Sequence, residues 1–304
     1  MTEFDVVLPG RSFLEGARWR DGRIWVADCY AREVVSVRED GSDQRVEAIV
    51  EGQPSGMGFL PDGRLLVASM LDNRIVRREF DGSLVTHADL NGPAKSEIND
   101  MAVDPLGRCW VGCFGFDLTN GAAYEPAPLI RVDPDGAAAV VADRLGFPNG
   151  VTCDGKVLVV AETFAARLTA FDVLGDGSLG RRRVWAKFGE EPEGTDGFAR
   201  FNAVDVAPDG VGEPDAEGAI WVADATHHRA LRVGEGGAVL DEVVVGDAQV
   251  FAVALGGADG RTLFLAVSPN HFKTEREHTR DSILLSRRVG VPLARTVKKL
   301  EEKL

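Results

Sequence analysis

The sequence predicts an all-β fold, a six-bladed β-propeller with four antiparallel strands in each blade. Three observations carry that prediction. One junction recurs five times, with a period from the forties upward: Glu15-Gly16, Ser55-Gly56, Asn99-Asp100, Asn149-Gly150 and Asp209-Gly210. Each unit contains two glycine turns flanking strand-like segments, the mark of a radial repeat of β-meanders. A strand-like N-terminal segment, Phe4-Asp5-Val6-Val7-Leu8, is left without a unit of its own.

Within a unit the junction opens a short first strand, a turn follows, and an apolar second strand comes next. The first turns are Asp21-Gly22, Asp62-Gly63, Leu106-Gly107, Asp154-Gly155, Glu217-Gly218 and Asp259-Gly260. The runs after them are Ile24-Trp25-Val26-Ala27, Leu65-Leu66-Val67-Ala68, Cys109-Trp110-Val111-Gly112, Val157-Leu158-Val159-Val160 and Ile220-Trp221-Val222-Ala223, with Thr262-Leu263-Phe264-Leu265 marking a sixth unit. Third and fourth strands meet at Asp40-Gly41, Asp81-Gly82, Asp135-Gly136, Asp176-Gly177 and Glu235-Gly236. Such pairs supply the positive φ that tight hairpins need. The sixth unit shows no second hairpin after Ser282-Ile283-Leu284-Leu285, so the N-terminal strand is expected to complete it and close the ring. Residues 1–294 then form a single propeller domain, and 295–304 a charged, helix-compatible tail. Asn270 to Arg280 is expected to be a loop or short helix on one face, with His271 and Phe272 over a mouth of the channel. Trp25, Trp110 and Trp221 recur at one blade position and read as packing between blades.

Composition narrows the function. With 44% apolar and 27% charged residues the chain is normally globular, and no apolar run approaches the roughly 18 residues of a membrane span. A net charge of −14 argues against nucleic acid, whose binding rests on neutralising phosphates. Arg181-Arg182-Arg183 is better explained as a solvated hairpin edge. The N-terminus lacks the basic and apolar regions of a secretory signal, so a cytoplasmic protein is expected, as a monomer or weak dimer. Cys29, Cys109, Cys113 and Cys153 fit no disulfide scaffold and read as buried free thiols. Adjacent His227 and His228 face opposite ways in or near a strand and do not easily chelate together. Neither a Gly-x-Ser-x-Gly elbow nor a phosphate-binding loop is present.

In a propeller the residue that begins each innermost strand points toward the central channel, at one end of it. Glu15, Ser55, Asn99, Asn149 and Asp209 should therefore meet around a common mouth. Turn preference alone would account for Asn, Asp and Ser at such positions, but not for glutamate at the first. Glu15, Asn149 and Asp209 offer two carboxylates and an amide oxygen, hard donors that suit Ca²⁺, Mg²⁺ or Mn²⁺. An open, partly hydrated cation can polarise a carbonyl or activate water.

Four stretches are similar to the signatures of the regucalcin-like senescence marker protein/gluconolactonase/luciferin-regenerating enzyme family. They are Glu15-Gly16-Ala17-Arg18-Trp19, Ile98-Asn99-Asp100-Met101-Ala102-Val103-Asp104, Phe147-Pro148-Asn149-Gly150, and Pro208-Asp209-Gly210 with Asp215-Ala216-Glu217-Gly218-Ala219-Ile220-Trp221. The resemblance implies a six-bladed propeller that holds one divalent metal, Ca²⁺ first and Mg²⁺, Mn²⁺ or Zn²⁺ as alternatives, and opens a small lactone to a hydroxy acid. It assigns Glu15, Asn149 and Asp209 to the metal, Asn99 to the substrate, and to Asp209 also the role of general base. Ser55 receives no role. Where some sugar-lactone members carry Arg, two residues before the Asn, this chain has Glu97, which removes a cationic substrate contact. A second alignment stays open at the fifth junction. There Asn202-Ala203-Val204-Asp205-Val206-Ala207 would be the first strand and Asn202 the inward residue; Asp209 is preferred because Pro208-Asp209-Gly210-Val211-Gly212 copies Pro54-Ser55-Gly56-Met57-Gly58. Alternative functions are a related metal-dependent phosphotriesterase or esterase, and a non-enzymatic calcium-binding or protein-interaction propeller.

Overall fold

The computed structural model describes residues 4–294. They form six four-stranded antiparallel sheets arranged as the blades of a propeller. Counted outward from the channel, blade 1 holds Leu14–Arg20, Arg23–Asp28, Glu33–Arg38 and Arg45–Ile49. Blades 2 to 5 repeat that order from innermost strands Pro54–Phe59, Ile98–Val103, Pro148–Cys153 and Pro208–Val211. Blade 6 begins at Gln249–Gly256, and its outermost strand is the N-terminal Asp5–Arg11, laddered antiparallel to Ser282–Arg288. The seam is therefore closed by backbone hydrogen bonds. The eleven glycines of the expected turns all take positive φ, from 75° to 98°, as the Asp-Gly chemistry requires.

Packing lies mainly between blades. Trp110 is fully buried against Val151, Leu158 and Val160 of blade 4, and Trp221 against Val253, Leu255 and Leu263 of blade 6. Trp25 is half-buried, edge-on to Phe59 of blade 2 at 5.0 Å. Removing a buried indole of this kind costs about 3 kcal/mol or more, so the recurring tryptophans hold neighbouring blades in register.

Every innermost strand carries one residue more than its partner at the junction. The ladder skips between Glu15 and Arg18, Pro54 and Met57, Ile98 and Met101, Pro148 and Val151, Pro208 and Val211, and Val250 and Ala252. A bulge of this kind breaks the alternation of the strand and re-aims a side chain, which frees the junction residue to face the channel.

The second alignment of the fifth junction is not realised. Asn202 lies on helix α1, Gly197–Ala203, whose first turn is capped by Asp196 accepting from the Ala199 N–H at 2.9 Å. Asn202 is exposed, and its amide donates to the Phe198 carbonyl. Val204 and Val206 are buried, which explains their strand-like pattern, but they join no ladder. Within Asn270 to Arg280 one short helix forms, α2, Lys273–Arg276. Arg181-Arg182-Arg183 lies on the outermost strand of blade 4, Leu179–Lys187. No helix among the described residues is long and apolar enough to cross a membrane. The expected tail, 295–304, lies outside the described residues.

Candidate functional site

A cavity of about 370 Å³ opens at the mouth of the channel where the innermost strands begin. Glu15, Asn99, Asn149 and Asp209 all line it, although they come from four blades. The sixth junction is Phe251, which had no polar signature to betray it. Its place follows from contact: a Cβ on Gly150 would strike the Asp209 carbonyl, and one on Gly210 would strike Phe251 and Ala252, so each junction backs onto the next. Glycine at these points lets adjacent innermost strands approach closely.

Ser55 also has a position that its residue type did not announce. Its hydroxyl donates to Glu15 Oε2 at 3.0 Å, while Asn99 Oδ1 stands 3.4 Å away. One proton serves one acceptor, so Ser55 anchors Glu15 and leaves Asn99 the weaker contact. The Asn149 amide donates to the Asp209 carboxylate. Below them Arg18 donates to Asp100 Oδ1 at 2.8 Å and to the Met101 carbonyl at 2.6 Å, and Asp100 Oδ2 is buried without a partner.

Arg18 is committed to Asp100, and no cationic side chain among the described residues pairs with Glu15 or Asp209. Burial pushes Glu15 up to about 7, against the Ser55 hydrogen bond and with help from the Asp100 charge. Asp209 is driven well above the ordinary carboxylate range, by burial first and then by Glu15 and Asp100; Asn149 and the Gly210 N–H offset only part of this. Two desolvated like charges are costly until a cation or a proton joins them. That arrangement fits a divalent ion, and the donors are hard oxygens. Among the described residues no third His, Cys, Asp or Glu completes a cluster, so any third protein donor would be a neutral oxygen, and the amides of Asn149 and Asn99 line the same cavity. Cys29 lines the same cavity, but burial and the nearby Glu15, Asp28 and Asp209 hold its thiol protonated, so it is not a nucleophile.

Phenylalanines form much of the wall, joined by Tyr30, His271 and Phe272. His227 instead sits 3.2 Å from Asp224, outside the cavity lining. A hollow of about 490 Å³ between the outer parts of blades 1 and 6 contains Arg38, Arg287 and Arg288, but none of the junction residues.

Comparison with known proteins places the chain among relatives of the same fold. The chain is 29% identical over 205 residues to a 6-deoxy-6-sulfogluconolactonase from Pseudomonas putida, covering 66% of this chain and 65% of the relative. It is 25% identical over 183 residues to the diisopropyl-fluorophosphatase of Loligo vulgaris, covering 53% and 58%. Both alignments thus span less than two thirds of the relative's length. The calcium-binding protein regucalcin from Agrobacterium tumefaciens superposes with a TM-score of 0.72 at 20% identity, over 96% of this chain and 97% of that one. Residues 13–268 match the model of the SMP-30/Gluconolactonase/LRE-like region, and the chain belongs to that family.

Proposed function

We propose that this protein is a metal-dependent lactonase that opens a small cyclic ester to a hydroxy acid. The observation that carries the reading is the convergence of Glu15 and Asp209 on one cavity with no Lys or Arg among the described residues paired to either. Glu15, Asn149 and Asp209 would hold one divalent ion, Ca²⁺ first given the all-oxygen donor set, and the bound ion would supply Lewis acidity to an ester carbonyl. Asp209, oriented by Asn149, accepts a proton from the attacking water on a carboxylate oxygen. Asn99 is only loosely engaged and orients the substrate by hydrogen bonding. Asp209 then returns the proton to the departing ring oxygen, which becomes the hydroxyl of the product. Family membership and the sulfogluconolactonase relative support lactone hydrolysis. The diisopropyl-fluorophosphatase relative favours a second reading, hydrolysis of a phosphorus ester at the same residues.

Chelator-stripped protein should lose hydrolysis of a lactone panel and regain it with a divalent ion. Failure of every divalent ion to restore any turnover overturns the reading. Asp209→Ala should abolish metal binding and Asn202→Ala should retain it; the reverse would move the site.

A further inference from the structure

The acids account for only part of the cavity. Eight of the fifteen phenylalanines of the chain line it. The rings of six of them, with His271, form a continuous arc of contacts. Phe114 stacks on Phe147 with centroids 4.6 Å apart, and Phe147 on Phe164 at 4.4 Å and 8°. Phe164 meets Phe201 at 5.9 Å, and Phe201 meets His271 edge-on at 5.1 Å. His271 lies 6.4 Å from Phe251, and Phe251 lies 4.7 Å from Phe13. The arc thus runs from blade 3 round to blade 1, through segments far apart in the sequence.

Thr163 and Glu97 on that wall are engaged, whereas His271 Nδ1 is buried without a partner. The Thr163 hydroxyl donates to the Pro208 carbonyl at 2.7 Å, and Glu97 accepts from Ser96. Lys273 is the one Lys or Arg in the lining, and Glu277 stands 3.7 Å from it. A polyhydroxylated ring set against phenyl faces would leave hydroxyls unpaired, each a lost hydrogen bond to water. A flat apolar ring would stack there instead.

We propose that the cavity selects lactones and esters whose body is a flat aromatic or apolar ring, over sugar lactones. What becomes of the ester rests on the lactonase reading above; the ligand class rests on the wall alone.

The test uses metal-loaded protein and two matched pairs of probes. Turnover is compared between a benzo-fused six-membered lactone and glucono-1,5-lactone. Binding is compared by calorimetry between chroman and 1,5-anhydroglucitol, their non-hydrolysable cyclic ethers. The expected result is faster turnover of the benzo-fused lactone and binding of chroman that is tighter by roughly tenfold or more. Phe251→Asn, which gives blade 6 an amide at its junction, should erase most of that difference. Should that variant not fold, Phe198→Ser at the rim, where Phe198 is 42% exposed, should reduce it by a smaller factor. Chroman binding with no turnover of either lactone supports the ligand class and overturns the lactonase reading. Equal or better use of the sugar probes, absence of chroman binding, or a folded Phe251→Asn that keeps the full preference overturns the ligand class.

Discussion

Blades 1, 4 and 5 differ from blades 2, 3 and 6 at the residue that ends the second strand. In the first group it is Asp28, Glu162 or Asp224, set opposite Leu14, Pro148 and Pro208. In the second group it is Ser69, Cys113 or Ser268. Each acid accepts a backbone N–H just ahead of its innermost strand: Phe13 to Asp28 at 3.2 Å, Gly146 to Glu162 at 2.6 Å and Ala207 to Asp224 at 3.1 Å. Each also has an arginine within 4 Å, namely Arg11, Arg167 and Arg229. These are the blades that carry Glu15, Asn149 and Asp209. The strands bearing the candidate ligands are thus the ones whose neighbouring second strand ends in a buried acid paired with arginine.

These pairs also show what is unusual about the ligands. Seven Asp or Glu residues are buried among the described residues, and all but Asp209 have an arginine within 4.0 Å. Glu162 and Asp209 make the contrast explicit. Burial pushes Glu162 up, but the Arg167 hydrogen bond and charge, the Thr169 hydroxyl and the Gly146 N–H outweigh it and hold the carboxyl below its usual range. Asp209 has no such compensation and moves the other way. A buried carboxylate with its own arginine is framework; one without a cation is the candidate to bind one.

Two substitutions and a pH series would break or sharpen that distinction, from the largest effect downward. Asp209→Asn should lower lactone turnover by about 10²–10⁴-fold, the usual worth of a general base. The same change should raise the melting temperature of chelator-treated protein, because it removes a desolvated charge; a lowered melting temperature would mean that Asp209 is framework after all. Glu162→Gln should act in the opposite sense on stability. It removes the carboxylate between Arg167 and the Gly146 N–H, while Arg167 keeps Glu191 at 2.9 Å, at a cost of about 1–3 kcal/mol in denaturant unfolding. If Glu162 also positions Asn149, metal affinity should fall about 10–100-fold in a titration, and unchanged affinity would confine Glu162 to stability.

The smallest effect concerns pH. The Glu15 carboxyl is raised from 4.5 to about 7 in the folded protein, so the unfolded chain releases this proton first. Its contribution to stability is fully present below about 4.5 and is lost as pH rises through about 7. Metal-free protein should therefore lose melting temperature across that window, and saturating Ca²⁺ should restore it at pH 8. A pH response identical with and without Ca²⁺ would show that the ion does not sit beside Glu15.

Much of this architecture was legible before any coordinates, because its signals are local. Asp-Gly pairs specify tight hairpins through backbone geometry, and apolar runs between them specify strands, so six units and the surplus N-terminal strand could be read directly. The polar junctions were legible because Glu15, Asn149 and Asp209 interrupt apolar surroundings at one repeated place. Asn202 misled because Val204 and Val206 are buried without belonging to a sheet, and burial alone produces the same alternation.

The sequence by itself determined the ring, its turns and five of the six junction residues. Only the tertiary structure decided what those residues meet. Ser55 became an anchor for Glu15 through a hydrogen bond across blades, and Phe251 became the sixth junction through contact with Gly210. The aromatic arc gathers residues from Phe13 to His271 that share no spacing. The missing cation at Asp209 is a property of three-dimensional neighbourhood, since no Lys or Arg among the described residues is placed to pair with it. Local chemistry fixes turns and strands, whereas desolvation and charge pairing depend on which distant segments closure of the ring brings together.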